Sequence, residues 1–189
     1  MKLILIRHGQ TVENQKKIMQ GHMEGTLSKE GIVQTEKVGL RLKDEKIDAI
    51  YSSDLIRAAE TAKAIAKYHS STPLYFTKEL REGNKGSITG KKVSEVDWDN
   101  LPNDIETKEE MQIRIKRLLD KVYEKHSDDT VVFVGHSGIN KAFITLMLNK
   151  PAEYASEIHG IINTSLCIFE INDNENTVKL MNCAKHLEN

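Results

Sequence analysis

The sequence predicts an α/β protein, a mostly parallel sheet with helices on both faces. Strand-like apolar runs alternate with amphipathic helical segments over most of the chain, the pattern of parallel sheets. Two of these runs, Leu3–Ile6 and Thr130–Val134, are short and almost wholly apolar, as strands buried on both faces must be. A closing pair of strands around a polar turn adds an antiparallel piece at one edge.

Leu3–Ile6 is the first strand, followed by a polar, Gly-containing stretch to about Leu27. Ser28 is a good N-cap with Glu30 in the first turn, and Ile32, Val38, Leu40 and Leu42 recur at helical spacing up to Glu45. Ile47–Tyr51 is the second strand, and Ser52-Ser53-Asp54 is the turn expected to cap the next helix. That helix carries Leu55, Ala58, Ala59, Ala62, Ile65 and Ala66 on adjoining faces. Thr72–Thr77 reads as a short strand around Pro73. From Lys78 to about Asp104 the pattern is irregular, and 83–104 is expected to form a small lid or insertion within a single domain spanning 1–189. Glu109–Lys125 is a charged amphipathic helix with Met111, Ile115, Leu118, Leu119 and Val122 inward. Ile139–Leu148 is a largely apolar helix, and Leu166–Ile171 and Val178–Met181 are strands joined by a turn at Asn172–Asn176.

Composition narrows the function. Hydrophobic residues are 39% and charged residues 29%, the balance of an ordinary globular protein. Lys and Arg number 27 against 28 Asp and Glu, a formal net charge of −1, so a nucleic-acid partner is not expected. Any anion site must be a local cluster of cations. The two cysteines, Cys167 and Cys183, have no zinc-type spacing and read as reduced thiols. Few thiols, no export signal and no apolar run near the ~20 residues of a membrane span predict a cytoplasmic protein without a membrane partner.

Ligands of open α/β sheets bind at the carboxyl ends of strands. There the first strand runs into Arg7-His8-Gly9 and the strand at 130–134 into Gly135-His136-Ser137-Gly138. If these strands are neighbours, the two imidazoles meet. Arg57, early in the helix after the second strand, belongs to the same rim. This set suits phosphoryl transfer. A phosphate monoester needs fixed positive charge and many donors, and guanidinium forks on Arg7 and Arg57 supply them. One uncharged imidazole attacks phosphorus, and the other, cationic or hydrogen-bonding, neutralises the transferring oxygens. Asn14 offers an amide N–H, Ser137 a backbone N–H at a helix N-terminus, and Glu82 a proton for the leaving alcohol. Ser137 lacks the elbow and partners of a serine nucleophile. His22, in the polar loop, faces either substrate or solvent, with solvent favoured. His69, His126, His159 and His186 read as surface or packing residues, and Lys16-Lys17 and Lys91-Lys92 as solvated charge flanking the site.

The ordered strings L-I-R-H-G-Q-T-V-E-N (Leu5–Asn14), Q-G (Gln20-Gly21), L-S-K-E-G (Leu27–Gly31), Y-S-S-D-L-I-R-A-A-E-T-A (Tyr51–Ala62), L-R-E-G-N-K-G (Leu80–Gly86) and V-G-H-S-G (Val134–Gly138) carry a resemblance over nearly the whole chain. The chain resembles the histidine phosphatase superfamily, also called phosphoglycerate mutase-like. The resemblance implies a three-layer α/β/α sandwich. It implies that His8 is the nucleophile that becomes phosphohistidine, and that Arg7, Arg57 and His136 complete the phosphate pocket. Asn14, Gln20, Gly21 and Ser137 would add contacts, with Glu82 as proton donor and then base. It also implies no metal and no cofactor. Two departures stand out: Gln10 where the family often has Glu, and Glu24 as the nearest acid after Gln20-Gly21 where the family often has Asp. The short region after Glu82 and the Gln20-Gly21 pair favour hydrolysis. The function expected is a metal-independent phosphatase acting on a small phosphate ester. A phosphoglycerate mutase on the same scaffold is the alternative, and a non-catalytic phosphate-binding module is a more distant one. Oligomeric state stays open.

Overall fold

A computed structural model describes residues 1–173 and 175–188. Strands β1 (Lys2–Arg7), β2 (Ala49–Ser53), β3 (Leu74–Thr77), β4 (Thr130–Gly135), β5 (Leu166–Ile171) and β6 (Asn176–Cys183) form one sheet in the order β3-β2-β4-β1-β5-β6. The pairs β1/β4, β2/β4 and β2/β3 are parallel, and β1/β5 and β5/β6 are antiparallel. The closing hairpin therefore sits at one edge, as expected; residue 174 of its turn lies outside the described residues.

Helices α1 (Val12–Gln15), α2 (Lys29–Leu42), α3 (Ile56–Ala66), α4 (Lys108–His126) and α5 (Ser137–Met147) complete the fold. Alternation along β1 and β4 divides the core. Leu3, Leu5, Val131 and Phe133 pack with Ile115 and Leu119 of α4 and Ile139 and Phe143 of α5. Ile4, Ile6, Val132 and Val134 pack with Val38 and Leu42 of α2 and Ala58, Ala62 and Ile65 of α3. Two helices thus cover each face, giving the three-layer sandwich. Each fully buried Leu, Ile or Phe contributes roughly 1.5–3 kcal/mol relative to exposure.

Three readings of local structure are corrected. Ile32 and Leu40 point outward from α2, being 58% and 48% exposed. The buried face of that helix holds Gly31, Gln34, Thr35 and Gly39 beside Val38 and Leu42. Close packing selects those small residues: a Cβ at Gly31 would lie 1.9 Å from the Gln10 carbonyl oxygen, and one at Gly39 would lie 2.8 Å from that of Ala64. Ser52 and Ser53 belong to β2 rather than to a capping turn. The start of α3 is instead capped from a distant loop, where the Glu24 carboxylate accepts from the Ile56 N–H at 2.9 Å.

The 83–104 stretch contains two short 3₁₀ turns, Gly86–Ile88 and Val93–Glu95. It is tied to the loop after α1 by hydrogen bonds from Met19 N–H to Lys91 O, Gly90 N–H to Met19 O and Val93 N–H to Lys17 O. No helix among the described residues is long and apolar enough to cross a membrane.

Candidate active site

Parallel pairing of β1 with β4 sets Arg7 opposite Gly135, and His8 N–H donates to Gly135 O at 2.9 Å. The next residues out are therefore His8 and His136. Their ring centroids lie 5.0 Å apart, inclined at 59°. Both are buried. Burial, followed by the Arg7 and Arg57 cations, holds His8 well below the ordinary histidine range, against the opposing bond to Gly9. Burial, followed by Arg57 and His8, does the same to His136. Both rings are neutral at pH 7.

Hydrogen bonds then assign the tautomers. His8 Nδ1 is 2.7 Å from the Gly9 carbonyl, which can only accept, so the proton is on Nδ1 and the lone pair on Nε2. His136 Nδ1 accepts from Arg57 Nε at 3.1 Å, so His136 carries its proton on Nε2. That Nε2 is buried without a partner among the described residues. The two rings thus present opposite roles, an electron pair and a donor.

Arg57 enters at the second residue of α3 and is 1% exposed. Besides His136, it donates through Nη1 to the carbonyls of Met23 and Glu24 and through Nη2 to that of Gly21. One Nη2 proton is left over. The guanidinium is therefore less a free clamp than a strut joining the β4 end to the 21–24 loop. Burial lowers its pKa to about 10, against Glu82, Glu24 and Glu13, so it stays charged. Arg7 donates through Nη1 to Ile161 O, and its buried Nε has no partner among the described residues.

Glu82 follows a 3₁₀ turn at Lys78–Leu80. Its Oε1 accepts from Gly83 N at 2.9 Å and Ile139 N at 3.1 Å, and its Oε2 from Gly138 N at 3.0 Å. The carboxylate thus sits on the N-terminus of α5. A Cβ at position 138 would meet Glu82 Oε1 at 2.3 Å, so glycine there leaves the carboxylate its place. Burial raises the Glu82 pKa, but Lys85, the Gly138 and Gly83 N–H groups and Arg57 outweigh it, so the net direction is down. Glu82 is therefore a carboxylate.

Arg7, His8, Asn14, Arg57, Glu82 and Ser137 line one cavity of about 370 Å³, with Gln20 and Gly21 also in its wall. Every residue singled out in the sequence for phosphate chemistry borders this space or, like His136, lies against it. Asn14 forms a capping box with Thr11, whose N–H donates to Asn14 Oδ1 at 3.1 Å, which leaves the Nδ2 amino group for the cavity. Gln20 Oε1 is buried and unpartnered among the described residues.

His22 corrects an expectation. Its Nε2 lies 2.9 Å from the Glu82 carbonyl, so the ring braces the Glu82 turn instead of facing solvent. Sequence reasoning missed Lys85, which lines the cavity and acts on Glu82. It also missed Thr61, which accepts from Gly9 N at 3.0 Å and donates to Arg57 O at 2.8 Å. Asn163, whose amide donates to His8 O at 2.8 Å, was missed too. Thr61 and Lys85 stand in the quoted Y-S-S-D-L-I-R-A-A-E-T-A and L-R-E-G-N-K-G strings and were findable there; Asn163 carries no local signal. Among the described residues no group of three or more His, Cys, Asp and Glu side chains converges as a metal site would.

Comparison with known proteins places the chain in a family. A phosphoglycerate mutase-like protein 4 of Arabidopsis thaliana is 29% identical over 205 residues, covering 99% of this chain and 87% of that protein. A metal-independent phosphoserine phosphatase of the same plant is 28% identical, covering 98% and 83%. Among solved structures, Bacillus stearothermophilus YhfR superposes with a TM-score of 0.92 at 26% identity, covering 99% of both chains. A phosphoserine phosphatase of Entamoeba histolytica, solved with 3-phosphoglyceric acid, superposes with a TM-score of 0.86 at 26% identity, covering 98% of both. The model of the histidine phosphatase superfamily (branch 1) matches residues 3–184, and the chain belongs to that superfamily, whose enzymes hydrolyse phosphate esters.

Proposed function

We propose that this protein hydrolyses phosphate monoesters of small metabolites, without a metal, through a phosphohistidine on His8. The observation that carries the reading is the pair of tautomers at the strand ends: a lone pair on Nε2 of His8, which borders the cationic cavity, and an unpartnered Nε2–H on His136, packed against His8 behind it. His8 Nε2 attacks phosphorus, the N–P bond forms, and the P–O bond to the alcohol breaks. His136 Nε2–H, Arg7, the spare Arg57 proton, Asn14 Nδ2 and the Ser137 N–H stabilise the phosphoryl oxygens. Gln20 and Gly21 shape the wall beside them. Glu82 hands the departing oxygen a proton. It later removes one from the water that attacks phosphohistidine, releasing phosphate and restoring His8.

The first proton needs a source, because Glu82 is ionised. A phosphate monoester with its second pKa near 6 supplies it by arriving as the monoanion. The ester's negative charge then raises the affinity of Glu82 for that proton.

The test is phosphate release in EDTA from a panel of monoesters, with trapping of ³²P on the protein. Turnover and label are expected in the wild type. His8→Ala should lose the label and lower turnover on the order of 10⁴-fold or more. Normal turnover in that variant would refute the mechanism. A stable label without phosphate release, together with interconversion of 3- and 2-phosphoglycerate, would replace hydrolysis by mutase action.

A further inference from the structure

A second cavity of about 560 Å³ adjoins the first, and the two share Met19 and Lys85 in their walls. It also reaches Gly138, the residue whose N–H holds Glu82 Oε2, while Ser137 next to it lines the first cavity. Glu82 therefore stands where the cavities meet. A group that protonates a leaving oxygen must lie beside that oxygen, so the alcohol body must extend from the Glu82 side. The space that opens there is the second cavity.

Its walls are unlike those of the phosphate pocket. Ile88, Trp98, Leu101, Pro102, Ile105 and Met111 present apolar surface. Trp98 and Leu101 are 55% and 44% exposed, large apolar side chains without a covering neighbour. Cations gather at the junction. Lys85 acts on Glu82, and Lys141 stands close enough to Glu82 and Arg7 for both to act on its charge. Lys108, Glu106, Glu109 and Glu153 also line the space, so its acidic and basic side chains balance and its wall favours neither an anionic nor a cationic alcohol.

Resting on the phosphatase reading above, we infer that this second cavity is the leaving-group subsite, and that it selects phosphate monoesters of apolar alcohols over those of compact polyols or amino acids. The phosphate is held at the strand ends, and an alkyl or aryl body lies against Trp98 and Leu101.

An alkyl series tests this without changing leaving-group chemistry. Binding of ethyl-, butyl- and hexylphosphonate, which cannot be hydrolysed, is measured by calorimetry, and kcat/KM is measured for the matching alkyl phosphates. Affinity should rise about fourfold per buried methylene, so hexylphosphonate binds on the order of 100-fold tighter than ethylphosphonate. Trp98→Ala should cut the hexyl-to-ethyl ratio about tenfold, and Trp98→Phe should keep most of it. Affinity that is flat along the series, or a slope unchanged in Trp98→Ala, overturns the subsite. The two readings fail separately. Rising phosphonate affinity with no ester hydrolysed sinks the phosphatase and keeps the subsite. Hydrolysis that ignores chain length does the reverse.

Discussion

The site has two halves, held by different means. Arg7, His8 and His136 stand on the ends of β1 and β4, where backbone ladder bonds place them in register. Glu82 and Lys85 stand on turns, held by side chains reaching backbone. Arg114 donates to the carbonyls of Glu79 and Arg81 at 2.6 and 3.0 Å, while Arg81 makes a two-pronged bond to Asp54, each prong 2.6 Å. The sheet half handles phosphate, which every ester shares. The loop half handles the alcohol, which differs from ester to ester. A rigid sheet suits an invariant group, and loops can change without disturbing the chemistry beneath them. Arg57 belongs to both, bonded to His136 on one side and to the 21–24 loop on the other.

That division is broken or sharpened first at Glu82. Glu82→Gln keeps one acceptor oxygen for the N–H groups of Gly83 and Ile139, turns an NH2 towards the Gly138 N–H, and removes the acid. Alkyl phosphates, whose leaving groups need the proton, should lose roughly 10²–10⁴-fold in kcat. An aryl phosphate, whose phenolate departs unaided, should lose far less. Comparing p-nitrophenyl phosphate with an alkyl ester decides it: equal losses on both would return Glu82 to the phosphate half.

Arg57→Lys addresses the strut. Lysine keeps the charge but cannot reach His136, Gly21, Met23 and Glu24 together. With the Nε donor gone, His136 loses the bond that fixes its tautomer, and buried carbonyls lose partners. A fall of roughly 10²-fold in kcat/KM is expected, with kcat lowered and KM raised together. Steady-state kinetics check it. A rise in KM with kcat unchanged would confine Arg57 to the loop half.

The same division explains what could be read from the sequence. Strand ends were legible because a short apolar run stops abruptly at Arg7-His8 and at Gly135-His136, and β-pairing turns that pattern directly into geometry. The face of α2 was misread because its buried contacts use Gly31, Gln34, Thr35 and Gly39. Gln34 Oε1 accepts from Gln10 N at 2.9 Å, a contact no apolar periodicity reports. Placing His22 on the Glu82 carbonyl and Asn163 on the His8 carbonyl took long-range folding of irregular segments. The quoted strings located Glu82 but not the helix N-terminus that holds it.

The smallest expected effect concerns stability, and it too separates the halves. His8 and His136 are buried neutral, with folded pKa values below the ordinary 6.5. An unfolded histidine takes up its proton near pH 6.5, and these folded ones do not. Below that pH the unfolded chain therefore binds more protons, and stability present above pH 6.5 is lost as pH falls. The slope is about 1.4 kcal/mol per pH unit for each such histidine, until its folded pKa is reached. His186, half-buried with its pKa lowered first by burial and then by Arg41 and Lys37, adds to the same window. Glu82, whose folded pKa is also lowered, starts to contribute only below its ordinary 4.5. Denaturant unfolding between pH 7 and 5 thus reads His8, His136 and His186 and leaves Glu82 out. His136→Gln, whose amide oxygen can accept from Arg57, should reduce the slope by one proton. An unchanged slope would mean that His136 takes up a proton in the folded protein, and the opposite tautomers of the two rings would no longer hold.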